Sequence, residues 1–268
     1  MYQKSHDSIK YPFVFALGLA LCGPLAGSPE RGLEIAEETK ARDTGYGDFS
    51  TTATMTLRDA SGRSSVREMT VQTLEVPDVG EKSLITFLAP ADTRDTALLS
   101  YSYKAESDDQ WIYLPSMRRT RRIASGNKSG SFVGSEFSYE DISPQQVEKY
   151  TYPFLREEEL DSDLCFVIER FPVDPRSSGY SRQVRWIDQA EYRPLKAENF
   201  DRRDALLKTL VFEDYRQYEA KGGTFWRPLR MEMTNHQSGK STLIEYQDYV
   251  FDAGLDDSLF DSRRLGRR

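Results

Sequence analysis

The residues with the clearest capacity for chemistry form a cluster of cations in an otherwise acidic chain. Five basic side chains occur within eleven residues, whereas the formal net charge of the 268-residue chain is -7. The cluster consists of Arg118, Arg119, Arg121, Arg122 and Lys128. Guanidinium groups form paired hydrogen bonds with phosphate and carboxylate groups. The cluster is therefore a candidate binding surface for an anionic group.

Apolar and small residues accompany these cations. Residues 126–131 read Gly-Asn-Lys-Ser-Gly-Ser and offer backbone donors without bulky side chains. The apolar residues along the same segment are Met117, Ile123, Phe132, Val133 and Phe137. A flexible cationic loop with this composition is suited to a lipid head group and the start of its acyl chains. The alternative is a solvated surface whose cations neutralise neighbouring carboxylates.

The usual catalytic arrangements are missing from the sequence. His236 lies in a predicted turn, without a second His or Cys at metal-ligand spacing, which favours an exposed turn histidine. Cys165 lies in the apolar run 164–168, which is typical of a buried thiol. No nucleophile elbow, phosphate-binding loop or dinucleotide fingerprint occurs. The sequence predicts a protein that is not an enzyme and needs no metal or cofactor; a hydrolase with paired carboxylates is the minor alternative.

The N-terminal residues predict export. Lys4 and Lys10 precede an apolar run at 11–21, and small and turn residues follow to position 27. This order is typical of a signal peptide, and the run is shorter than the ~20 residues that a membrane-spanning helix needs. We therefore predict a signal peptide at 1–26, a single mature domain at 27–268 and a periplasmic location. An uncleaved anchor is the alternative.

Cys22 raises the question of lipid attachment. It follows Leu-Ala-Leu, which resembles the sequence that directs lipidation of a cysteine. The residue before such a cysteine is usually small, and here it is Leu21. We therefore favour an unlipidated protein over one anchored at Cys22.

The rest of the chain predicts β-structure. After an amphipathic helix at 31–42, apolar and polar residues alternate with period two, as at Ala53, Met55 and Leu57. About eleven such segments follow one another between short polar turns, from 51–57 to 241–251, which indicates an all-β antiparallel domain. The tail from residue 256 predicts one helical turn that frays. The acidic balance, with a pI of about 5.1, argues against nucleic acid as a partner.

Several segments resemble the bacterial outer membrane lipoprotein-sorting proteins, the LolA-like family often associated with RND/MMPL-type exporters. The central matches are 109–115 (DQWIYLP), 127–132 (NKSGSF) and 134–141 (GSEFSYED). Further matches are 82–85 (KSLI), 87–92 (FLAPAD), 96–99 (TALL), 186–188 (WID), 233–236 (MTNH) and 254–257 (GLDD). The resemblance implies a half-open antiparallel β-barrel with helices covering its mouth. The carriers' defining arginine and lid residues have no positional match here.

A carrier of this kind needs an apolar cavity, because each buried methylene of an acyl chain contributes roughly 0.8 kcal/mol. Directional groups are not required for that burial. For any single aromatic or Met residue, a place in the closed core is the alternative to a place in the cavity. The predicted cargo-binding residues are Trp111, Tyr113, Met117, Arg118, Arg119, Arg121, Arg122, Lys128, Phe132, Trp186, Met231 and Met233.

The resulting hypothesis is a monomeric periplasmic carrier or chaperone of lipid or lipoprotein. It would touch membranes transiently, carry cargo toward the outer membrane and serve an RND-type exporter. The alternative from a different class is an envelope adaptor that binds no cargo and docks on a transporter through the basic segment 115–136.

Overall fold

A computed structural model of the chain describes Met1 and residues 28–104 and 106–266. The predicted signal segment, including Cys22, lies outside the described residues apart from Met1.

The described part of the chain folds into fourteen β-strands and two α-helices. The helices are α1 (Pro29–Arg42) and the single turn α2 (Tyr139–Ile142). The strands of the first half are β1 (Asp48–Arg58), β2 (Ser64–Val76), β3 (Gly80–Ala89), β4 (Ala97–Tyr103), β5 (Asp109–Leu114) and β6 (Arg119–Ile123). The strands of the second half are β7 (Tyr150–Thr151), β8 (Phe154–Leu160), β9 (Asp163–Pro172), β10 (Arg182–Asp188), β11 (Pro194–Phe200), β12 (Leu206–Ala220), β13 (Gly223–Asn235) and β14 (Lys240–Phe251).

All fourteen strands belong to one antiparallel sheet built from two meanders. Strands β1 to β6 pair in sequence order, and β9 to β14 do the same. The pairing of β1 with β14 joins the two meanders. Strand β6 ends the sheet on one side, and β7 and β8 both pair with β9 at the other. The sheet is therefore not closed, as in a half-open barrel.

The predicted fold class is confirmed, although the strand count of about eleven is too low. Strand β6 lies inside the segment predicted as a loop, where Trp111 pairs with Arg122 and Tyr113 with Thr120 across β5 and β6. Its sequence, RTRRI, lacks apolar alternation, so its extended form depends on the hydrogen bonds to β5. Residues 150–156, predicted as one strand, form β7 and the start of β8.

The inner face of the sheet carries the main core. Met55, Met69 and Phe87 are almost fully buried there, and Phe132 from the segment after β6 packs in a tilted arrangement against Phe87, with 5.6 Å between ring centroids. The core follows from the predicted alternation, because side chains at every second strand position share a face. The same cluster includes Ala53, Ile85, Leu98, Ile112, Phe137, Ala197, Leu210, Met233 and Ile244.

The C-terminal segment packs against the outer face of β3, β4 and β5. Phe260 and Leu265 are buried there against Leu84 and Leu99, and the Tyr101 hydroxyl donates a hydrogen bond to the Phe260 carbonyl. The prediction of a fraying tail is therefore wrong for residues up to 265. Burial of two large apolar side chains stabilises the segment.

The predicted N-terminal helix is confirmed as α1. The Ser28 side chain accepts a hydrogen bond from the Arg31 backbone N–H and caps the helix. Ile35 and Ala36 pack against Ile168 and the neighbouring apolar residues of the second meander. Gly32 allows this close approach, because a Cβ atom there would lie 1.7 Å from the Tyr152 carbonyl oxygen.

We predict that Gly32→Ala separates α1 from the sheet and lowers the Tm. Backbone atoms cannot yield as a flexible side chain would, so we expect a loss of roughly 1–3 kcal/mol in the free energy of unfolding. That loss corresponds to a fall of several degrees in a thermal melt. Glu37→Ala, at an exposed position of the same helix, is the control. Equal melting temperatures for the two variants would contradict the close contact.

Candidate functional site

A cavity of ≈ 410 Å³ lies between the inner face of the sheet and a cover formed by α1 and residues 141–147. The volume falls in the ~300–1,000 Å³ range of small-molecule sites. Its lining alternates along each strand, as at Met69, Val71 and Thr73 of β2, because every second side chain points inward. The inward-facing side chains of the strands therefore form the wall of the cavity.

Most of the cavity wall is apolar or aromatic. The side chains of Phe212, Met231 and Tyr246 line it from the second meander, and Val71 and Ile85 line it from the first. Methionine and aromatic side chains adapt to irregular ligands such as acyl chains. This part of the cavity can hold a hydrocarbon chain without any directional contact.

One end of the cavity is polar. Arg170 of β9, Gln183 of β10 and Asn199 of β11 are direct cross-strand neighbours on the inner face. The Arg170 guanidinium donates to the Gln183 amide oxygen, and the Gln183 amide nitrogen donates to Asn199. The Tyr150 ring lies 4.2 Å from the Arg170 guanidinium carbon. These side chains form a polar row across three strands.

Arg185 lies two residues beyond Gln183 on the same face of β10 and also lines the cavity. Its cross-strand neighbours are Ile168 and Ala197. Its Nε atom is buried and has no hydrogen-bond partner among the described residues. Burial, reinforced by the positive charge of Arg170, lowers the pKa of Arg185 to about 9, so the side chain is still a cation at neutral pH.

Two carboxylates lie near this polar end: Asp141, which lines the cavity, and Glu140, which precedes it in the chain. Glu140 accepts hydrogen bonds from the Ser178 hydroxyl at 3.1 Å and from the Gly179 backbone N–H at 3.0 Å. Asp141 caps α2 through Ser138 and accepts a hydrogen bond from the Tyr180 hydroxyl. Burial, together with the charge of Asp141, raises the pKa of Glu140 to about 7.

The opposite end of the cavity combines aromatic rings with paired charges. The Arg227 guanidinium is paired with Asp43 and lies 5.1–5.4 Å from the centroids of the Tyr46, Phe49 and Phe251 rings. This arginine is thus satisfied by the protein itself, unlike Arg185.

Among the predicted cargo-binding residues, Met231 lines the cavity. Phe132 and Met233 are fully buried in the adjoining core cluster. Trp111 and Tyr113 lie on the outer face under the C-terminal segment, next to Phe260. Trp186 also lies on the outer face, with Cys165. Period-two alternation separates residues into two sets but does not reveal which set faces inward.

The basic cluster is divided by the structure. Met117, Arg118, Arg119, Arg121 and Arg122 lie exposed on the β5–β6 hairpin at the free edge of the sheet. Arg122 is paired with Asp109. Lys128, by contrast, is buried and forms an ion pair with Asp108 at 3.3 Å. The hairpin arginines are therefore a surface feature, and Lys128 is a structural one.

His236 and Cys165 occupy the predicted environments, an exposed turn and a buried strand. His236 is exposed in the turn between β13 and β14, and its Nε2 lies 2.7 Å from the Thr209 hydroxyl. Cys165 is fully buried, and burial raises the pKa of its thiol to about 11.

Among the described residues, no group of three or more His, Cys, Asp or Glu side chains is arranged to hold a metal ion. Within those same residues, no helix is long and apolar enough to cross a membrane.

Arg170 and Arg185 were not among the predicted site residues. Both occur in strands that the alternation identifies, but Arg185 alternates with Val184 and Trp186, which suggests a polar outer face. In the structure the relation is reversed, because the apolar set packs outside and the polar set faces the cavity. A polar row at matched positions of successive strands is the signal that could have revealed it.

The whole fold matches solved structures closely. An outer membrane lipoprotein-sorting protein domain from Vibrio parahaemolyticus is 48% identical, with a TM-score of 0.85 over 90% of this chain and 100% of that one. The chain belongs to the outer membrane lipoprotein-sorting protein family. A family model described only as an uncharacterized protein matches residues 80–267.

Two further structures extend the relationship of this lipoprotein-sorting family member. A DUF1329 family protein from Desulfovibrio piger is 32% identical, with a TM-score of 0.80 over 88% of this chain and 98% of that one. A LolA superfamily protein from Nitrosomonas europaea, at 23% identity and a TM-score of 0.68 over 87% of this chain and 99% of that one, shares the fold. A search of curated proteins finds no match.

The raised pKa of Glu140 predicts a pH-dependent stability. The unfolded chain ionises this group near pH 4.5 and the folded protein near pH 7, so its contribution to stability is fully present below pH 4.5 and is lost as the pH rises to about 7. Glu140→Gln should therefore gain stability relative to wild type between pH 4.5 and 7, by roughly 3 kcal/mol at most. Denaturant unfolding at several pH values measures this gain. Glu157→Gln, at an exposed position of β8, is the control; parallel pH profiles for Glu140→Gln and wild type would contradict the assignment.

Proposed function

We propose that this protein is a periplasmic carrier that binds an acyl chain of a lipid or lipoprotein inside the half-open barrel. The observation that carries the proposal is the ≈ 410 Å³ cavity with its largely apolar lining. The family relationship and the name of the Vibrio relative support lipoprotein sorting as the setting. The predicted signal peptide and single mature domain at 27–268 support the periplasmic location.

The physical basis of the proposal is transfer of hydrocarbon out of water. Each methylene that enters the cavity contributes roughly 0.8 kcal/mol, so even part of one acyl chain gives useful affinity. Because this term is not directional, cargo can enter and leave without a chemical step. The proposed role is therefore binding and release, not catalysis.

A cavity-filling variant tests the proposal. Val71 lines the cavity from β2, so Val71→Trp should occupy space that an acyl chain would use. Displacing about three methylenes would weaken binding by about 2.4 kcal/mol, or ~50-fold. Mass spectrometry of organic extracts from gently purified protein should detect lipid in wild type and little in Val71→Trp.

Val66→Trp provides the matched control. Val66 lies on the same strand but points to the outer face and is exposed, so the same substitution there should leave the lipid content unchanged. Melting curves establish that both variants are folded. An absence of lipid from wild type, together with no binding of added acyl ligands, would contradict the carrier function.

We further propose that the β5–β6 hairpin gives the carrier transient contact with anionic membranes. Arg119 and Arg121 pair with Leu114 and Ile112 and so share the inner face of the sheet, where they stand exposed at its free edge. A cargo leaving the open barrel at this edge would pass cations that attract lipid phosphates. An RND-type exporter that docks on the same hairpin is the alternative role of these arginines.

Replacing Arg119 and Arg121 by Ala should weaken binding to anionic vesicles. Each exposed cation contributes about 1 kcal/mol near an anionic surface, so we expect a ~30-fold loss and little change in Tm. Arg203→Ala combined with Arg216→Ala removes the same charge from exposed positions elsewhere and serves as the control. Sedimentation with phosphatidylglycerol vesicles measures the effect. Equal losses in both double variants would indicate net charge alone, and no loss would favour a protein partner for the hairpin.

A further inference from the structure

Arg185 is a partly buried cation that has no counter-charge among the described residues. Its guanidinium lines the cavity, its Nε has no hydrogen-bond partner, and within the described residues it forms no ion pair. An unpaired charge that has lost part of its hydration destabilises the folded protein. Proteins usually pair such charges, and the pairing of Arg227 with Asp43 in the same cavity is an example.

The nearby carboxylates do not supply the missing partner. The two oxygens of Glu140 accept hydrogen bonds from Ser178 and Gly179. Asp141 is engaged by Ser138 and Tyr180. Neither carboxylate forms an ion pair with Arg170 or Arg185, so both act on the arginines only through their field.

Arg170 adds a second cation to the same end of the cavity. Its position is held by the Gln183 amide and by the Tyr150 ring. Only its Nε is used in the bond to Gln183, and the remaining donors of a guanidinium fork are suited to an oxyanion. Two cations with unused donors thus lie at one end of a cavity whose wall is mostly apolar or aromatic.

The order of side chains along β10 shows which way a bound ligand would point, because each inward-facing residue and its cross-strand neighbours form one layer of the interior. Arg170 and Gln183 form the polar row, Arg185 lies in the next layer between Ile168 and Ala197, and the layer beyond is apolar, with Ile187 on β10. An amphiphile with its charged group at the arginines would place its chain along Phe212 and Met231.

We propose that Arg185 and Arg170 bind the anionic group of the cargo, a carboxylate or a phosphate attached to a single acyl chain. This inference rests on the proposed function, because it defines the chemistry of the ligand in the same cavity. It predicts that the protein distinguishes anionic from neutral amphiphiles of equal chain length. The charge of the ligand replaces the missing counter-charge of Arg185.

The test compares three ligands with the same chain: hexadecanoate, hexadecyl phosphate and hexadecanol. Each is delivered to delipidated protein from cyclodextrin, and affinity is measured by displacement of a neutral fluorescent acyl probe. Wild type should bind at least one of the two anions with an affinity at least tenfold higher than its affinity for hexadecanol. Preference for hexadecanoate alone assigns a carboxylate, preference for hexadecyl phosphate alone assigns a phosphate, and preference for both assigns the shared anionic chemistry.

Arg185→Leu should reduce the ratio of anion affinity to alcohol affinity to about threefold or less, while hexadecanol binding is kept. Its Tm should not fall, because an apolar side chain replaces an unpaired charge. Arg185→Lys should keep most of the ratio, and Arg216→Leu, at an exposed position of β12, should keep all of it. If Arg185→Leu fails to bind hexadecanol, the ratio of anion affinity to alcohol affinity is measured on Arg185→Gln, which removes the charge but keeps a polar side chain. The same fall in the ratio is expected there.

The outcomes separate this inference from the proposed function. Equal binding of all three ligands by wild type, or an unchanged ratio in Arg185→Leu, overturns the anion site and leaves the acyl carrier intact. Failure of wild type to bind any of the three ligands overturns the carrier function itself.

Discussion

The structure depends on the pairing of β1 with β14. Every other strand pairing in the two meanders joins strands that are close in sequence, whereas this one joins Phe49 to Phe251 and Met55 to Ile244. It turns two six-to-eight-stranded ribbons into one sheet and brings residues of both halves around a common interior. Closing so long a loop carries an entropic cost that only the burial of the shared core offsets. The inner face, and with it the cavity, exists because this pairing forms.

The free edges of the sheet explain how the interior is used. Since β6 does not pair with β8, the sheet cannot seal itself, and α1 and residues 141–147 cover the cavity instead. Packed covers of this kind open more readily than hydrogen-bonded strands do. Each edge also carries charges, Arg119 and Arg121 on β6 and Glu157 on β8, which disfavour pairing of an edge with the same edge of another molecule. An open but protected barrel is a suitable architecture for reversible binding.

Stability and binding make opposite demands on the polar end of the cavity. The fold holds Glu140 at a raised pKa and leaves Arg185 unpaired, and both features oppose folding at neutral pH. The apolar clusters, the α1 contact at Gly32 and the docked C-terminal segment supply stability elsewhere. Local departures from optimal stability are common where a protein binds a ligand.

The sequence alone determined the class of the protein. Period-two alternation predicts the strands, the apolar run predicts a buried Cys165, and the central motifs carry the family resemblance. These features are local, so the sequence shows them without any knowledge of how distant segments pack. Strand β6 was missed because its sequence, RTRRI, lacks this alternation. Its strand form depends on pairing with β5 and not on its own residues.

Only the tertiary structure decided which set of alternating residues faces inward. Trp111, Tyr113 and Trp186 are outside, where the C-terminal segment and neighbouring apolar side chains cover them, while Arg170 and Arg185 are inside. The sequence of a strand does not by itself show which of its two faces points inward. Distant elements that pack on one side decide this. The physical reason is that burial is a property of the assembled sheet, so the same alternation is compatible with either orientation until β1 meets β14.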